Sequence, residues 1–152
     1  MFGSKGKIDI AIQKYNYAPG DIISGNVALT LKKPVQARGM SISLIGTGKQ
    51  PPDRDFDGTV HYHMREHVYE FKQQLDGEKE YSEGREYRFA IEIPSDILSK
   101  QLRSKRTREF TLTRKGFKEI AIQFQQIRWY LLAKLDIPHG PDTSKKVEVT
   151  IG

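Results

Sequence analysis

The segment YAPGDIISGNVALTLKKPVQARGMSISLIG, from Tyr17 to Gly46, alternates apolar and polar residues over most of its length, and that period of two dictates β-structure. It opens on Ala18-Pro19-Gly20-Asp21, where Pro fixes the φ that the second position of a β-turn needs and Gly supplies the positive φ that a type II turn needs next. Ile23, Val27, Leu29 and Leu31 then share one face, while Ser24, Asn26, Thr30 and Lys32 share the other. Gly25 falls on the apolar face and packs nothing there, so it predicts a bulge or the close approach of another backbone. Lys33-Pro34 ends the ladder, because Pro donates no hydrogen bond. Met40, Ile42 and Leu44 alternate with Gly39, Ser41 and Ser43 in a second strand that runs to about Gly46. Two long strands, each with one apolar face, require a second sheet to cover them.

The rest of the chain supplies strands for that purpose. Ile8, Ile10 and Ile12 alternate along Lys7 to Gln13, close enough to the terminus to make an edge strand. Lys49 to Gly58 carries two Pro, three Asp and a Gly and reads as a loop, with Pro51-Pro52 a stiff turn. Thr59 to Leu75 reads as one long strand, followed by a turn at Leu75-Asp76-Gly77-Glu78 in which Asp-Gly is the usual hairpin pair. Tyr87, Phe89, Ile91 and Ile93 point one way along Arg85 to Ile93. Trp129, Leu131, Ala133, Leu135 and Ile137 do the same in a core strand, Pro138 to Asp142 makes a turn, and Val147, Val149 and Ile151 close the sheet. Between these lies a segment read differently. Ser95 caps a short helix with Ile97, Leu98, Gln101 and Leu102 on one side. Phe117 to Ile127 fits a helix face (Phe117, Ile120, Ala121, Phe124, Ile127) as well as a strand (Ile120, Ile122, Phe124). Helix is the reading taken, because a strand continuous from there to Ile137 would be very long without a bulge.

Four of these stretches, in order, carry a family resemblance. The Pro-Gly-Asp turn, the Gly25-x-Val27-x-Leu29 strand, the Lys33-Pro34 link and the strand ending Ile42-Ser43-Leu44-Ile45-Gly46 resemble the opening of the arrestin N-terminal lobe, and equally that of the arrestin-fold subunit of the retromer coat. Tyr87 to Pro94 is similar to the family's Phe-x-Ile-Pro strand end. Trp129 to Asp136 is similar to its aromatic-x-x-x-Ala-x-Leu-Asp strand, and Lys145 to Ile151 to its closing strand. The resemblance implies an all-β, immunoglobulin-like sandwich of two antiparallel sheets, here with one or two short helices in the 95–127 region. Ile10, Val27, Leu29, Ile42, Leu44, Phe89, Ile91, Trp129, Leu131 and Leu135 lie between the sheets. It also implies a non-catalytic scaffold or adaptor of trafficking or signalling that uses exposed edges and loops to hold protein partners. Two features depart from the pattern. Ser95 to Gly116 is longer than the usual link, and the adjacent lysines of receptor arrestins have no counterpart, since Lys5 and Lys7 are split by Gly6.

At 152 residues the chain fits one domain, 1–152, with room for a single lobe, and that size buries a sufficient core without a metal or staple. A single lobe with a thinly covered first strand predicts a homodimer. There is no cysteine, which excludes disulfides, thiolate metal sites and cysteine nucleophiles and is compatible with a reducing cytoplasm. No apolar run reaches the ~18 residues of a membrane span, and no signal peptide is evident, so the expected location is cytoplasmic.

The charge is concentrated. Lys100, Arg103, Lys105, Arg106, Arg108, Arg114, Lys115 and Lys118 face a single acid, Glu109, giving +7 over residues 100–118 against a formal +6 for the whole chain. Such a segment is either a solvated loop or a docking site for anions. Phospholipid head groups of an anionic membrane surface suit it best, and nucleic acid less, because Phe110 and Phe117 are too few for a stacking platform. His61, His63 and His67 share one parity along the expected 59–75 strand and could share a zinc or copper ion, although Arg65 lies among them. His61 or His63 beside Asp53, Asp55 or Asp57 could be drawn as a base and its orienter. No Gly-x-Ser-x-Gly, phosphate-binding loop, His-Glu-x-x-His or dinucleotide fingerprint is present, so no enzyme and no cofactor is expected.

Overall fold

The computed structural model describes residues 6–49, 52–62, 64–98, 109–113, 116–120 and 125–152, with fourteen strands. In chain order these are β1 (Gly6–Ile12), β2 (Asn16–Tyr17), β3 (Ile22–Leu31), β4 (Val35–Ala37), β5 (Gly39–Lys49), β6 (Asp53–Arg54), β7 (Val60–His61), β8 (Glu66–Asp76), β9 (Lys79–Tyr81), β10 (Arg85–Glu92), β11 (Glu109–Thr113), β12 (Gly116–Ile120), β13 (Gln125–Asp136) and β14 (Thr143–Ile151). One sheet has the order β1-β3-β10 and the other β2-β14-β13-β5-β8, while β4–β9, β6–β7 and β11–β12 are separate pairs. Every pair is antiparallel except β14 with β2, which is parallel over two residues.

The two alternating strands of the Tyr17–Gly46 segment become interior strands, one in each sheet. In β3, Ile23, Val27 and Leu29 are buried, paired across to β10 as Ile91↔Ile23 and Tyr87↔Val27. Opposite them, Ile42 and Leu44 of β5 meet Ala133 and Leu131 of β13, with Trp129, Leu135 and Val149 completing the layer. Of the ten expected core residues nine are buried, and Ile10 packs half-buried against them. Burying residues of this size yields roughly 1.5–3 kcal/mol each, which is what makes the alternation so strongly specifying. The Ala18–Asp21 turn forms as the sequence requires: Gly20 has φ 90°, Asp21 N donates to Ala18 O at 3.0 Å, and Ala18 N donates to the Asp21 carboxylate at 2.9 Å. At Gly25 a side chain would collide with the Ala11 carbonyl of β1, so the glycine marks the close approach of a neighbouring backbone.

Several details differ from the sequence-based expectation. No helix forms among the described residues. Residues 95–98 make a turn closed by Ile97 N donating to Pro94 O at 3.2 Å, and 116–120 is strand β12, in register with β11 from Glu109↔Ile120 to Thr113↔Gly116. Pairing with the Thr-rich β11 decided what an ambiguous periodicity could not. The length argument for a helix failed as well, because β13 carries an irregularity, a register shift against β5 between Gln125 and Arg128. The expected 59–75 strand is two, β7 and β8, because the chain leaves β6–β7 before joining β5. Asp76-Gly77 does not close a hairpin: β9 pairs with β4, and Gly77 does not adopt positive φ. Ser41 and Ser43, which alternate with the apolar face of β5, are buried nonetheless, as is Thr47 beyond them, β5 lying between β13 and β8 in its sheet.

Where the chain crosses between sheets after β8, a polar network replaces the hairpin. The Asp76 carboxylate accepts from Gly77 N at 2.8 Å and from the Tyr87 hydroxyl at 2.8 Å, and pairs with Lys79 at 2.7 Å. The Tyr81 hydroxyl donates to Gly77 O at 2.6 Å. Burial works to raise the Asp76 pKa, but the bonds from Lys79, Tyr87 and Gly77 outweigh it and hold the carboxyl below its usual range. Burial, with Asp76 adding, pushes the Tyr81 phenol up to about 12 and Tyr87 higher still.

Candidate functional site

Antiparallel registers bring particular connections to one end of the sandwich. Gln125↔Lys49 sets the start of β13 beside the end of β5, Gly48↔Glu66 sets the start of β8 there, and Glu92↔Ile22 sets the end of β10 beside the start of β3. The Ala18–Asp21 turn, the β6–β7 hairpin, the 94–98 turn and both attachment points of the basic segment therefore share that end. Six of the seven large apolar side chains exposed among the described residues lie there too: Tyr15, Ile22, Phe56, Tyr62, Met64 and Leu98. Scattered exposed apolar residues are ordinary; gathered at one end, they make that end the candidate site.

The β6–β7 hairpin is built by its own carboxylates. Asp55 N donates to Thr59 O at 3.2 Å and Gly58 N to Asp55 O at 3.1 Å, with Gly58 at φ 87° making the bend. Thr59 N donates to Asp57 Oδ1 at 2.9 Å and to Asp55 Oδ1 at 3.1 Å. The hydrogen bond shared with the Asp55 side chain, followed by those from Thr59, draws the Asp57 pKa down to about 2. His61 Nε2 sits 2.7 Å from Asp55 Oδ2. Phe56 stands fully in solvent at the tip. Of the base-and-orienter pairings drawn from sequence, the His61–Asp55 one is thus realised. Both groups are around half exposed, and the hairpin's remaining polar bonds are made within the hairpin itself.

His67 lies elsewhere, on β8 opposite Thr47, with its Nε2 3.3 Å from the Tyr130 hydroxyl on the outer face of the five-stranded sheet. Lys146 covers the same ring at 4.1 Å from its centre. His61 and His67 are on different strands with different neighbours, so the parity that would have aligned them with His63 does not apply; His63 itself lies outside the described residues. Among the described residues no group of three His, Cys, Asp or Glu side chains converges on a metal-sized space.

Of the basic segment, Lys100, Arg103, Lys105, Arg106, Arg108, Arg114 and Lys115 lie outside the described residues, and Lys118 occupies β12 opposite Thr111. Sequence reasoning missed the hairpin as a structured element, though Asp-x-Asp followed by Asp-Gly-Thr is turn chemistry and could have signalled it. It also missed the outer edge of β10, where no strand pairs among the described residues, because no local pattern encodes that pairing. Among the described residues no helix is long and apolar enough to cross a membrane.

A search of curated protein sequences finds no match. Among solved structures, the chain is similar to Spo0M, the sporulation control protein from Bacillus subtilis, with a TM-score of 0.61 at 18% identity. The likeness covers 97% of this chain and 49% of Spo0M, so this chain spans about half the length of that structure, and at this identity it shows the fold alone. The family model described as "Arrestin (or S-antigen), N-terminal domain" matches residues 6–151. The sandwich, its strand order and that match over nearly the whole chain make one conclusion: this chain belongs to the arrestin N-terminal domain family.

Proposed function

We propose that this domain is a non-catalytic cytoplasmic adaptor that holds protein partners. The observation carrying this reading is the gathering of Tyr15, Ile22, Phe56, Tyr62, Met64 and Leu98 at one end of the sandwich. Family membership supports it, since arrestin-fold members are generally adaptors. The His61–Asp55 pair does not argue for catalysis, because both side chains sit around half exposed on a surface hairpin. Proximity labelling in cells, comparing wild type with a Phe56→Ser, Leu98→Ser variant, tests the reading. A defined set of protein neighbours lost in the variant supports it; identical neighbours in both contradict it.

A second reading is favoured by one specific observation, the +7 charge of residues 100–118 emerging beside Leu98. Lys100, Arg103, Lys105, Arg106, Arg108, Arg114, Lys115 and Lys118 would hold the head groups of an anionic membrane, an attraction that weakens steeply between ~50 and ~200 mM salt. Co-sedimentation with neutral and anionic vesicles at both salt concentrations decides between the readings, using wild type and a variant with Arg103, Lys105, Arg106 and Arg108 changed to Ser. Salt-sensitive binding to anionic vesicles that the variant loses supports the membrane reading. Wild type left in the supernatant throughout leaves the protein adaptor alone.

A further inference from the structure

The two sheets do not match in width. One has three strands, β1-β3-β10, and the other has four long ones, β14-β13-β5-β8, plus the two-residue β2. On the flank where β10 and β8 are both edge strands, they touch, and the Tyr87–Asp76 bond joins them near one end. The mismatch leaves a mark on β8. Phe71 is paired with Leu44 and so points to the core side, yet it is 46% exposed, while Leu44 is fully buried. Next along that face is Gln73, opposite the buried Ile42, and its Oε1 is buried without a hydrogen-bond partner.

The edge above these residues can be read group by group. Ile93 N donates to Asp21 O and Ile93 O accepts from Gly20 N, so residue 93 directs its backbone toward β3. Alternation along an antiparallel strand then directs Arg85, Tyr87, Phe89 and Ile91 toward β3 as well. Glu86, Arg88, Ala90 and Glu92 direct their N–H and C=O groups outward, and among the described residues no strand pairs with them.

We propose that the outer edge of β10 is a docking site for an extended segment of a partner protein, which adds to the three-stranded sheet as a fourth strand. This rests on the adaptor reading and names the partner's chemistry. What is left unfinished along this edge is what a strand supplies: ladder partners for Glu86, Arg88, Ala90 and Glu92, and apolar side chains to cover Phe71. It makes the layers four over four. A second copy of this chain would instead bring its own five-stranded layer against β8. On the outer face Glu86, Arg88, Ala90 and Glu92 present the charges minus, plus, neutral, minus, so the partner strand carries a base opposite each Glu and an acid opposite Arg88. Small β-branched residues fill the alternate, inward positions.

The probe is the blocked peptide Lys-Ile-Thr-Val-Glu-Val-Lys, which sets that pattern antiparallel to β10, titrated into the full chain by fluorescence anisotropy and by amide NMR. Expected is saturable binding that newly protects the amides of residues 86, 88, 90 and 92. Ala90→Pro removes an outward N–H without touching the β3 ladder, and Phe71→Lys removes the apolar floor. Each weakens binding about tenfold or more, with the circular dichroism spectrum unchanged. The charge-reversed peptide Glu-Ile-Thr-Val-Lys-Val-Glu binds more weakly. Protection on β1 or β8 instead overturns this site while leaving the adaptor reading intact. Outward β10 amides already protected in the free monomer, or protected only in a concentration-dependent dimer, give the edge to the chain itself or to a second copy and overturn the proposal. No binding by this peptide or by a randomised set of alternating peptides overturns both.

Discussion

Replacing Asp76 by Ala removes the acceptor that joins the end of β8 to β9 and β10. Its carboxylate takes hydrogen bonds from Tyr87 and Gly77 and an ion pair from Lys79, and its side chain is 20% exposed. Hydrogen bonds to a charged partner contribute about 1.5–3 kcal/mol each when buried. The Lys79 pair, with the lysine 32% exposed, is discounted for solvent screening, and relaxation lets water reach the freed Tyr87 hydroxyl. The expected cost is about 2–4 kcal/mol, a large share of the ~5–15 kcal/mol total of a domain this size. Urea unfolding followed by Trp129 fluorescence would show the midpoint falling by about 1–2 M at unchanged slope. Because the folded-state pKa of Asp76 lies below its unfolded value, this stabilisation is present above the unfolded pKa, near 4, and is lost as pH falls through the folded one. The gap between wild type and variant therefore narrows as pH falls below the unfolded value. With Tyr87→Phe in a double-mutant cycle, a coupling of about 1 kcal/mol follows. A cost below about 0.5 kcal/mol, or a gap that persists in acid, would refute the reasoning.

Gly46→Ala would drive a methyl into the Trp129 ring, costing about 1–3 kcal/mol and perturbing Trp129 emission, whereas Gly77→Ala, with open space and ordinary φ, should change stability by less than about 1 kcal/mol; equal costs contradict the packing. Alkali should destabilise the fold: the Tyr81 pKa is raised to about 12 from 10.0, so its contribution is whole below pH 10 and declines by about 3 kcal/mol as pH rises from 10 to 12. Tyr87 extends the loss to higher pH, and Tyr81→Phe should flatten the profile measured by chemical denaturation.

The sandwich was legible because its centre is written in alternation. Val27, Leu29, Ile42, Leu44, Leu131 and Leu135 fall on one face by period alone, and a one-residue slip would expose all of them. The Ala18–Asp21 turn was legible because only Pro then Gly meets its φ requirements. What failed depended on tertiary choice. Phe117 to Ile120 fits both periods, and pairing with β11 chose strand. Asp76-Gly77 is a hairpin signal locally, but the strand that follows finds Val35–Ala37 instead, and Asp76 serves the crossing as an acceptor. The candidate site was half legible. The sequence showed where the basic charge lies and left the apolar end unseen, since Tyr15, Phe56 and Leu98 are brought to one end only by the antiparallel registers.

Those registers, and the open flank they leave, are tested most directly by residue-resolved amide hydrogen exchange along β10 in the free protein. The account predicts alternation: slow exchange at Tyr87, Phe89 and Ile91, whose N–H groups enter the β3 ladder, and fast exchange at Glu86, Arg88, Ala90 and Glu92, which face outward. Uniform protection along the strand, or alternation of the opposite phase, would contradict it.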